Sequence, residues 1–332
     1  MYASDDGFVP VLRASLHSLL QAHEGTAITI HIAAHEYSAE SIESVTDLVE
    51  QFGQTVNINP TDNMLADFDD VQAGRFSLST FSRLLIDSTL PVEVSRVIYL
   101  DCDTLILRNL APLWNIDLEG NVVGAVNDCR NWRYLVHLGL PKDAAYYNAG
   151  VLLVDVDAYR KQGWQAKFRK AIIAYDGLLE FPDNDLICML MQNTIKPLPP
   201  EYNMIGPVRS HNYDELIRLR RPSGWYSRDE IENAQQNPAI LHYTTFFAIP
   251  GRPWKQGYDE QDGRLFREHI AATGGVLGNA EDAGLLKKAA VAMLSSPLRP
   301  LALSSIGLVH GFAKPLSGRK ARMKIARLKQ QV

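Results

Sequence analysis

The first sixty residues alternate strand-like and helix-like segments, and this alternation limits the fold more than any other feature of the chain. Ala27 to Ala33 and Thr55 to Ile58 are short runs rich in β-branched residues, as buried strands are. Val11, Leu12, Leu16, Leu19 and Leu20 recur at helical spacing within Val9 to Gln21. Ser38 is an expected N-cap for a second helix, which carries Ile42, Val45, Leu48 and Val49 to about Phe52. Met1 to Asp6 reads as the end of a first strand entering a loop. A central strand of ordinary length needs about five or six residues, so this one is expected to be truncated at Met1 or unusually short. The resulting βαβαβ order implies an α/β protein with a parallel, doubly wound sheet. In such sheets, ligands bind in the crevice outside the carboxyl ends of the strands.

Further along, Thr80 to Leu90 reads as a helix leading into a strand at Val97 to Leu100. Val122 to Val126, Ala149 to Val154 and Ile240 to Tyr243 are further strand candidates; Trp164 to Tyr175 and Asp183 to Met191 are expected helices. The one shift in composition falls near Glu281. Ten of the 33 Lys and Arg lie between 286 and 332, where there is no Asp or Glu, so the rest of the 332-residue chain is acidic, with 23 basic against 38 acidic residues. An acidic body does not suit nucleic-acid binding, which lines a structured face with basic residues. It fits a soluble body that meets an anionic surface through its tail. Leu285, Leu286, Ala289, Ala290, Met293 and Leu294 suit one amphipathic helix, and Arg319, Lys320, Arg322, Lys324, Arg327 and Lys329 a second, basic one; a solvated tail is the alternative. Three cysteines without C-x-x-C spacing suit a reducing compartment. With no signal peptide and no long apolar run, the expected location is cytoplasmic, with a peripheral position on the inner face of the plasma membrane as a further option.

Four constellations carry candidate chemistry. Asp101 and Asp103 follow the Val97–Leu100 strand one residue apart. They can share one hard cation, which prefers oxygen ligands, or form a solvated turn. Asn148 precedes a small-residue turn into a buried strand, where it can read ligand hydroxyls or bond its own turn. Asp183-Asn184-Asp185 opens a helix, so one carboxylate is expected to cap backbone N–H groups while the others can face the crevice. His242 ends a strand and is either a third ligand for Mn²⁺ or a plain buried residue. Beyond it, Arg252 and Lys255 lie on a Gly/Pro-containing loop that can close over phosphates.

In this order, the motifs resemble those of glycosyltransferase family 8. The resemblance runs from Met1 to about Trp254 and rests on Ala3-Ser4-Asp5-Asp6, Phe81-Ser82-Arg83-Leu84, Tyr99-Leu-Asp-Cys-Asp103, Leu113-Trp114, Tyr147-Asn-Ala-Gly-Val-Leu-Leu153, Asp183-Asn-Asp185 and His242-Tyr243 followed by Arg252-Pro-Trp254. It implies a GT-A fold, with a Rossmann-like, mostly parallel central sheet flanked by helices and a helical C-terminal appendage. It also implies a catalytic domain over 1–280 and a basic tail over 281–332. The implied activity is retaining transfer of glucose or galactose from UDP-glucose or UDP-galactose to a glycan such as lipopolysaccharide, with Mn²⁺ as cofactor and Mg²⁺ as the alternative.

By the same resemblance, Asp101, Asp103 and His242 hold the metal. Ala3, Asp5, Arg83, Cys102, Asn148, Gly251 and Arg252 join the two aspartates in binding the nucleotide sugar. Asp128 lies on the acceptor side, and Asn184, Asp183 and Asn148 serve catalysis, Asn184 also facing the acceptor. Two departures stand out. Asn184 replaces a usual Gln, and Arg252 lies ten residues after His242 where a Lys usually lies six after, with Thr245 in place of a Gly. An amide, not a carboxylate, stands where a covalent mechanism needs a nucleophile, which favours same-face attack by the acceptor hydroxyl. Asp101-x-Asp103-Thr104 also matches haloacid-dehalogenase-type phosphatases, in which Asp101 would be the nucleophile. A non-catalytic nucleotide- or glycan-binding protein is the other alternative.

Overall fold

The computed structural model describes residues 1–71, 77–244, 252–256, 258, 263–279, 292–294, 296–297, 299–317 and 325. Strands β1 (Tyr2–Asp5), β2 (Thr29–His35) and β3 (Thr55–Pro60) pair in parallel in the order β1-β2-β3. Helices α1 (Val9–Ala22) and α2 (Ala39–Gln51) make the crossovers between them. Ser38 caps α2, its hydroxyl accepting from Ser41 N–H. The alternation read from the sequence is therefore realised in this half of the molecule.

Beyond β3 the pairing becomes mixed. Strands β4 (Arg96–Leu100), β6 (Val123–Asn127), β7 (Tyr147–Asp155) and β8 (Ile195–Pro197) lie in the order β4-β7-β6-β8. Strand β7 is antiparallel to both neighbours, and β6 is parallel to β8. Met1 ties β4 to the parallel half: its nitrogen donates to Ile98 O at 2.8 Å and its carbonyl accepts from Leu100 N–H at 2.9 Å. A small sheet in the order β5-β10-β9, from Thr104–Ile106, Ile240–His242 and Met204–Ile205, completes the strands.

Both faces of the large sheet are apolar, and the period-2 alternation of a strand divides the core. Along β7, Val151 and Leu153 join the cluster that includes Leu12, Leu16 and Val45 of α1 and α2. Leu152 and Val154 join the opposite cluster, with Phe81, Val97, Tyr99 and Leu186.

The expected helix Thr80–Leu90 is not continuous. A 3₁₀ segment, Leu78–Leu84, gives way at Leu85 (φ −122°, ψ 35°) to a single turn, Ile86–Thr89. Ser79, Thr80 and Ser82 are buried here, residue types whose side chains compete for backbone hydrogen bonds and weaken a regular helix.

The appendage is mostly helical where it is described. Helix Arg299–Ser317 packs Ala302 and Leu303 against Leu219 of the helix Tyr213–Arg220, and Arg299 pairs with Glu215 at 2.6 Å. No described helix is long and apolar enough to cross a membrane. Most of the two amphipathic segments expected in the tail, including Leu285, Leu286, Arg319 and Lys329, lie outside the described residues, as does Gly251.

Candidate active site

The Asp101-Cys102-Asp103 turn is where the chain leaves one sheet for the other. Strand β4 ends at Leu100, paired with Val151 of β7, and Asp101 N–H donates to Gly150 O at 2.8 Å. Three residues on, β5 begins at Thr104, which pairs with His242 of β10. Tyr243 N–H then donates to Asp103 O at 2.9 Å. Two pairings thus fix the triad: β7 sets Asp101 against Gly150, and β10 sets His242 beside Asp103. His242 Nε2 lies 3.1 Å from Asp103 Oδ1 and 3.6 Å from Asp101 Oδ2. The three ligand atoms fall within 4.8 Å of one another.

Two carboxylates and one imidazole form a donor set that suits Mn²⁺ or Mg²⁺. The backbone leaves room for this cluster only because residue 150 is Gly. A Cβ there would meet His242 Cε1 at 2.2 Å and Asp101 Oδ2 at 2.8 Å. The residues present therefore fit a divalent cation.

Arg83 is the main positive charge against the triad. Its guanidinium reaches Asp101 Oδ1 at 2.8 Å, Asp101 Oδ2 at 3.0 Å and Asp183 Oδ2 at 2.9 Å, and stacks 5.0 Å over the Tyr99 ring. Tyr99 donates its hydroxyl to Asp101 Oδ1 at 3.0 Å. The 3₁₀ segment aims Arg83 inward, and its Nε–H donates back to Thr80 O. Burial opposes the guanidinium charge, but Asp101, Tyr99 and Asp183 outweigh it and Arg83 is held more firmly protonated than usual.

The two aspartates differ. Burial pushes Asp101 up despite Arg83 and His242. Burial also pushes Asp103 up, but His242 and Arg252 prevail and hold it well below the usual carboxylate range. Arg252 reaches Asp103 Oδ2 at 2.8 Å and also bonds Tyr243 O, with Trp254 under its guanidinium at 5.1 Å. Cys102 points away from the triad, its thiol donating to Ala3 O at 3.4 Å, and burial raises it far above its ordinary value. Asp5 ends β1 at the same carboxyl edge and caps the following turn, accepting from Phe8 N–H at 3.1 Å.

The three residues of Asp183-Asn184-Asp185 separate by role. Asp183 faces Arg83. Asn184 accepts from Ala149 N–H at 2.6 Å and its amide nitrogen leans on Asp183 Oδ1 at 3.3 Å. Asp185 is the capping carboxylate, accepting from Phe181 N–H at 3.0 Å and from the hydroxyls of Tyr134 and Tyr146. Asp128 follows β6, is buried, and pairs with Arg130 at 3.0 Å. It lines a small cavity with Asn127, Asn148, Asn203, Trp225 and Tyr226.

The structure thus brings Arg83, Asp101, Asp103, Asn148, Asp183, Asn184, His242 and Arg252 into one connected cluster, with Ala3 and Cys102 behind it. Sequence reasoning did not single out Tyr99 or Gly150 as site residues, nor Asn203 as a partner of His242. Tyr99 and Gly150 lay inside motifs quoted for other members, whereas nothing in the spacing marked Asn203.

The sheets thus carry a paired-aspartate and histidine centre where β4 ends and β5 begins. The model of glycosyl transferase family 8 matches residues 1–257, and the chain belongs to that family. General stress protein A of Bacillus subtilis is 22% identical over 254 residues, covering 76% of this chain and 85% of that protein. The lipopolysaccharide 1,2-glucosyltransferase of Escherichia coli K12 is 22% identical over 227 residues, 65% of this chain and 67% of that protein. The fold is that of the galactosyltransferase LgtC, solved with donor and acceptor sugar analogues. It superposes with a TM-score of 0.66 at 21% identity, over 86% of this chain and 98% of that one. Family membership leaves the phosphatase reading of Asp101 without support.

Proposed function

We propose that this protein is a retaining hexosyltransferase that moves glucose or galactose from a UDP-sugar to a glycan acceptor, lipopolysaccharide or another cell-surface glycan. The observation that carries the reading is the Asp101, Asp103 and His242 triad flanked by Arg83 and Arg252. Asp101, Asp103 and His242 would hold Mn²⁺, or Mg²⁺, which supplies charge stabilisation to a departing diphosphate when bound. Arg252 is the nearby cation suited to the same phosphate oxygens, with a planar fork in place of the family's lysine. Ala3 within β1, Asp5 at its end, and Gly251 are assigned to the nucleotide. Arg83, Asn148 and Asp183 are assigned to the donor sugar, and Asp128 and Asn184 to the acceptor side.

Retention without a covalent intermediate accords with the state of the carboxylates near the donor. Asp183 is tied to Arg83 and Asn184, and Asp185 lies beneath two tyrosine hydroxyls. Neither is an open nucleophile of the kind a double displacement needs. Attack by the acceptor hydroxyl on the face the diphosphate leaves, with the leaving phosphate taking the proton, requires no such group.

The test is UDP release from a panel of UDP-sugars, with Mn²⁺ or with EDTA, by wild type and Asp103→Asn. Mn²⁺-dependent release from one sugar, reduced ~10²–10³-fold in the variant, supports the reading and identifies the donor. UDP binding without turnover of any sugar would favour a non-catalytic binding protein.

A second inference concerns location. Leu301 and Leu308, seven residues apart on one face of the helix Arg299–Ser317, are 71% and 41% exposed. Together with a tail sequence that carries nine further Lys and Arg besides the Glu215-paired Arg299 and no Asp or Glu, these leucines suit binding in the plane of an anionic leaflet. Equal pelleting with anionic liposomes of the full chain and a chain lacking 286–332 would rule this out.

A further inference from the structure

Behind His242 lies a chain of hydrogen bonds whose direction can be deduced from one end. It starts at the Gly150 backbone N–H, which can only donate. That group donates to Asn148 Oδ1 at 2.9 Å, so this atom is the carbonyl oxygen of the amide. The same oxygen lies 2.9 Å from the Asn203 side chain, which must present its NH₂ there. The other end of the Asn203 amide is then its oxygen, and it faces His242 Nδ1 at 2.8 Å. An amide oxygen only accepts, so Nδ1 must carry the proton. In the neutral ring Nε2 is then the lone-pair nitrogen, and Nε2 is the atom turned toward Asp101 and Asp103.

Asn148, Asn203 and His242 are all buried, at 9%, 2% and 3% exposure, so water has little access with which to relax this polarity. Four groups are involved: β7 supplies Asn148 and Gly150, Asn203 directly precedes β9, and His242 ends β10. Strands β9 and β10 pair in parallel with His242 opposite Ile205, which brings Asn203 beneath the imidazole.

We propose that Asn203 is a positioning residue that selects the Nδ1–H tautomer of His242 and so keeps the Nε2 lone pair aimed at the metal position. The proposal rests on the metal reading of the triad given above. It adds a residue outside the ligand set and a direction of information flow. The backbone of the first residues of β7, Tyr147 to Gly150, already required for space around the triad, also sets the donor polarity of its nitrogen ligand. Outer-shell partners of a ligating histidine commonly alter metal affinity by ~10–100-fold when removed.

The test compares the full chain with Asn203→Leu, of similar size and without polar atoms, and Asn203→Asp, which keeps an acceptor for Nδ1–H. Two readouts apply. The first is the imidazole ¹⁵N–¹H long-range correlation pattern of His242 in metal-free protein at alkaline pH, where the ring is neutral and the pattern distinguishes the tautomers. The second is Mn²⁺ affinity from the free-Mn²⁺ electron paramagnetic resonance signal. Expected are the Nδ1–H pattern in wild type and Asn203→Asp, its loss in Asn203→Leu, and Mn²⁺ affinity ~10–100-fold weaker in Asn203→Leu with substantial recovery in Asn203→Asp.

An Nδ1–H pattern and wild-type affinity in Asn203→Leu would overturn the proposal. So would equal loss in both variants with unchanged thermal unfolding, since a merely structural role predicts no rescue by Asp. Wild type that binds no Mn²⁺ would defeat the metal reading separately, while the resonance pattern still decides what Asn203 does to the ring.

Discussion

The side-chain oxygen of Asn184 accepts from the backbone N–H of Ala149 at 2.6 Å, joining the helix Pro182–Leu190 to the start of β7 beside the triad. The shorter amide found here in place of the family's glutamine is therefore anchored to β7, with its nitrogen against Asp183. Asn184→Ala should lower kcat by ~10²-fold, within the range for loss of one group that organises a transition state. Steady-state kinetics on the donor identified by UDP release checks this; unchanged kcat would remove Asn184 from the mechanism.

Gly150→Ala tests the space requirement. The added methyl must displace the His242 ring, from which it would lie 2.2 Å. Overpacking of this kind costs roughly 1–3 kcal/mol. The expected result is weaker Mn²⁺ binding by calorimetry together with a lower unfolding midpoint. A variant that binds the metal as wild type does would show that the ring can yield without cost.

Arg83 joins Asp101 to Asp183, and a lysine ammonium cannot reproduce its fork. Removing one partner of a buried pair costs roughly 3–5 kcal/mol because the other charge is left uncompensated. Arg83→Met should show a loss of that order in denaturant unfolding, with Arg83→Lys intermediate. Equal stability of all three proteins would mean that water or a neighbouring group neutralises the two aspartates.

Asp185 gives a pH signature remote from the triad. Burial raises it to about 6 from an ordinary value near 3.8, against the hydrogen bonds from Tyr146, Phe181 N–H and Tyr134. The folded protein therefore holds this proton more tightly than the unfolded chain between those values. The stabilisation is fully present below the unfolded value and is lost as pH rises through about 6. At roughly 1.4 kcal/mol per pKa unit, the change is on the order of 2–3 kcal/mol. Wild type should lose stability relative to Asp185→Asn as pH rises from 4 to 7. A difference independent of pH would show that Asp185 does not titrate in that window.

The legible parts of the fold were those whose signal is local. Strands β2, β4 and β7 are apolar runs long enough to stand out, and α1 and α2 carry clear spacing. Strands β5 and β9, of three and two residues, were not recognised, because only their pairing with β10 makes them strands. The Thr80–Leu90 reading followed spacing and gave too little weight to the buried Ser and Thr residues that tighten the segment. In the site, the chemistry of Asp101, Asp103 and His242 left a solvated turn and a plain buried histidine open, and only the family resemblance joined the three as one candidate set. Asn203 was not legible as a partner of His242, since its meaning comes from groups 39 and 55 residues away in the chain.

The triad straddles the junction of two sheets, with Asp101 at the end of β4 and His242 on the strand that clasps β5. A cation gripping all three side chains would act as a rivet through that seam. Its binding energy would then oppose any slippage between the sheets, following RT ln(1 + [L]/Kd). Melting temperature would rise with cation concentration even with no sugar nucleotide present, making thermal shift a direct gauge of how firmly the seam is closed.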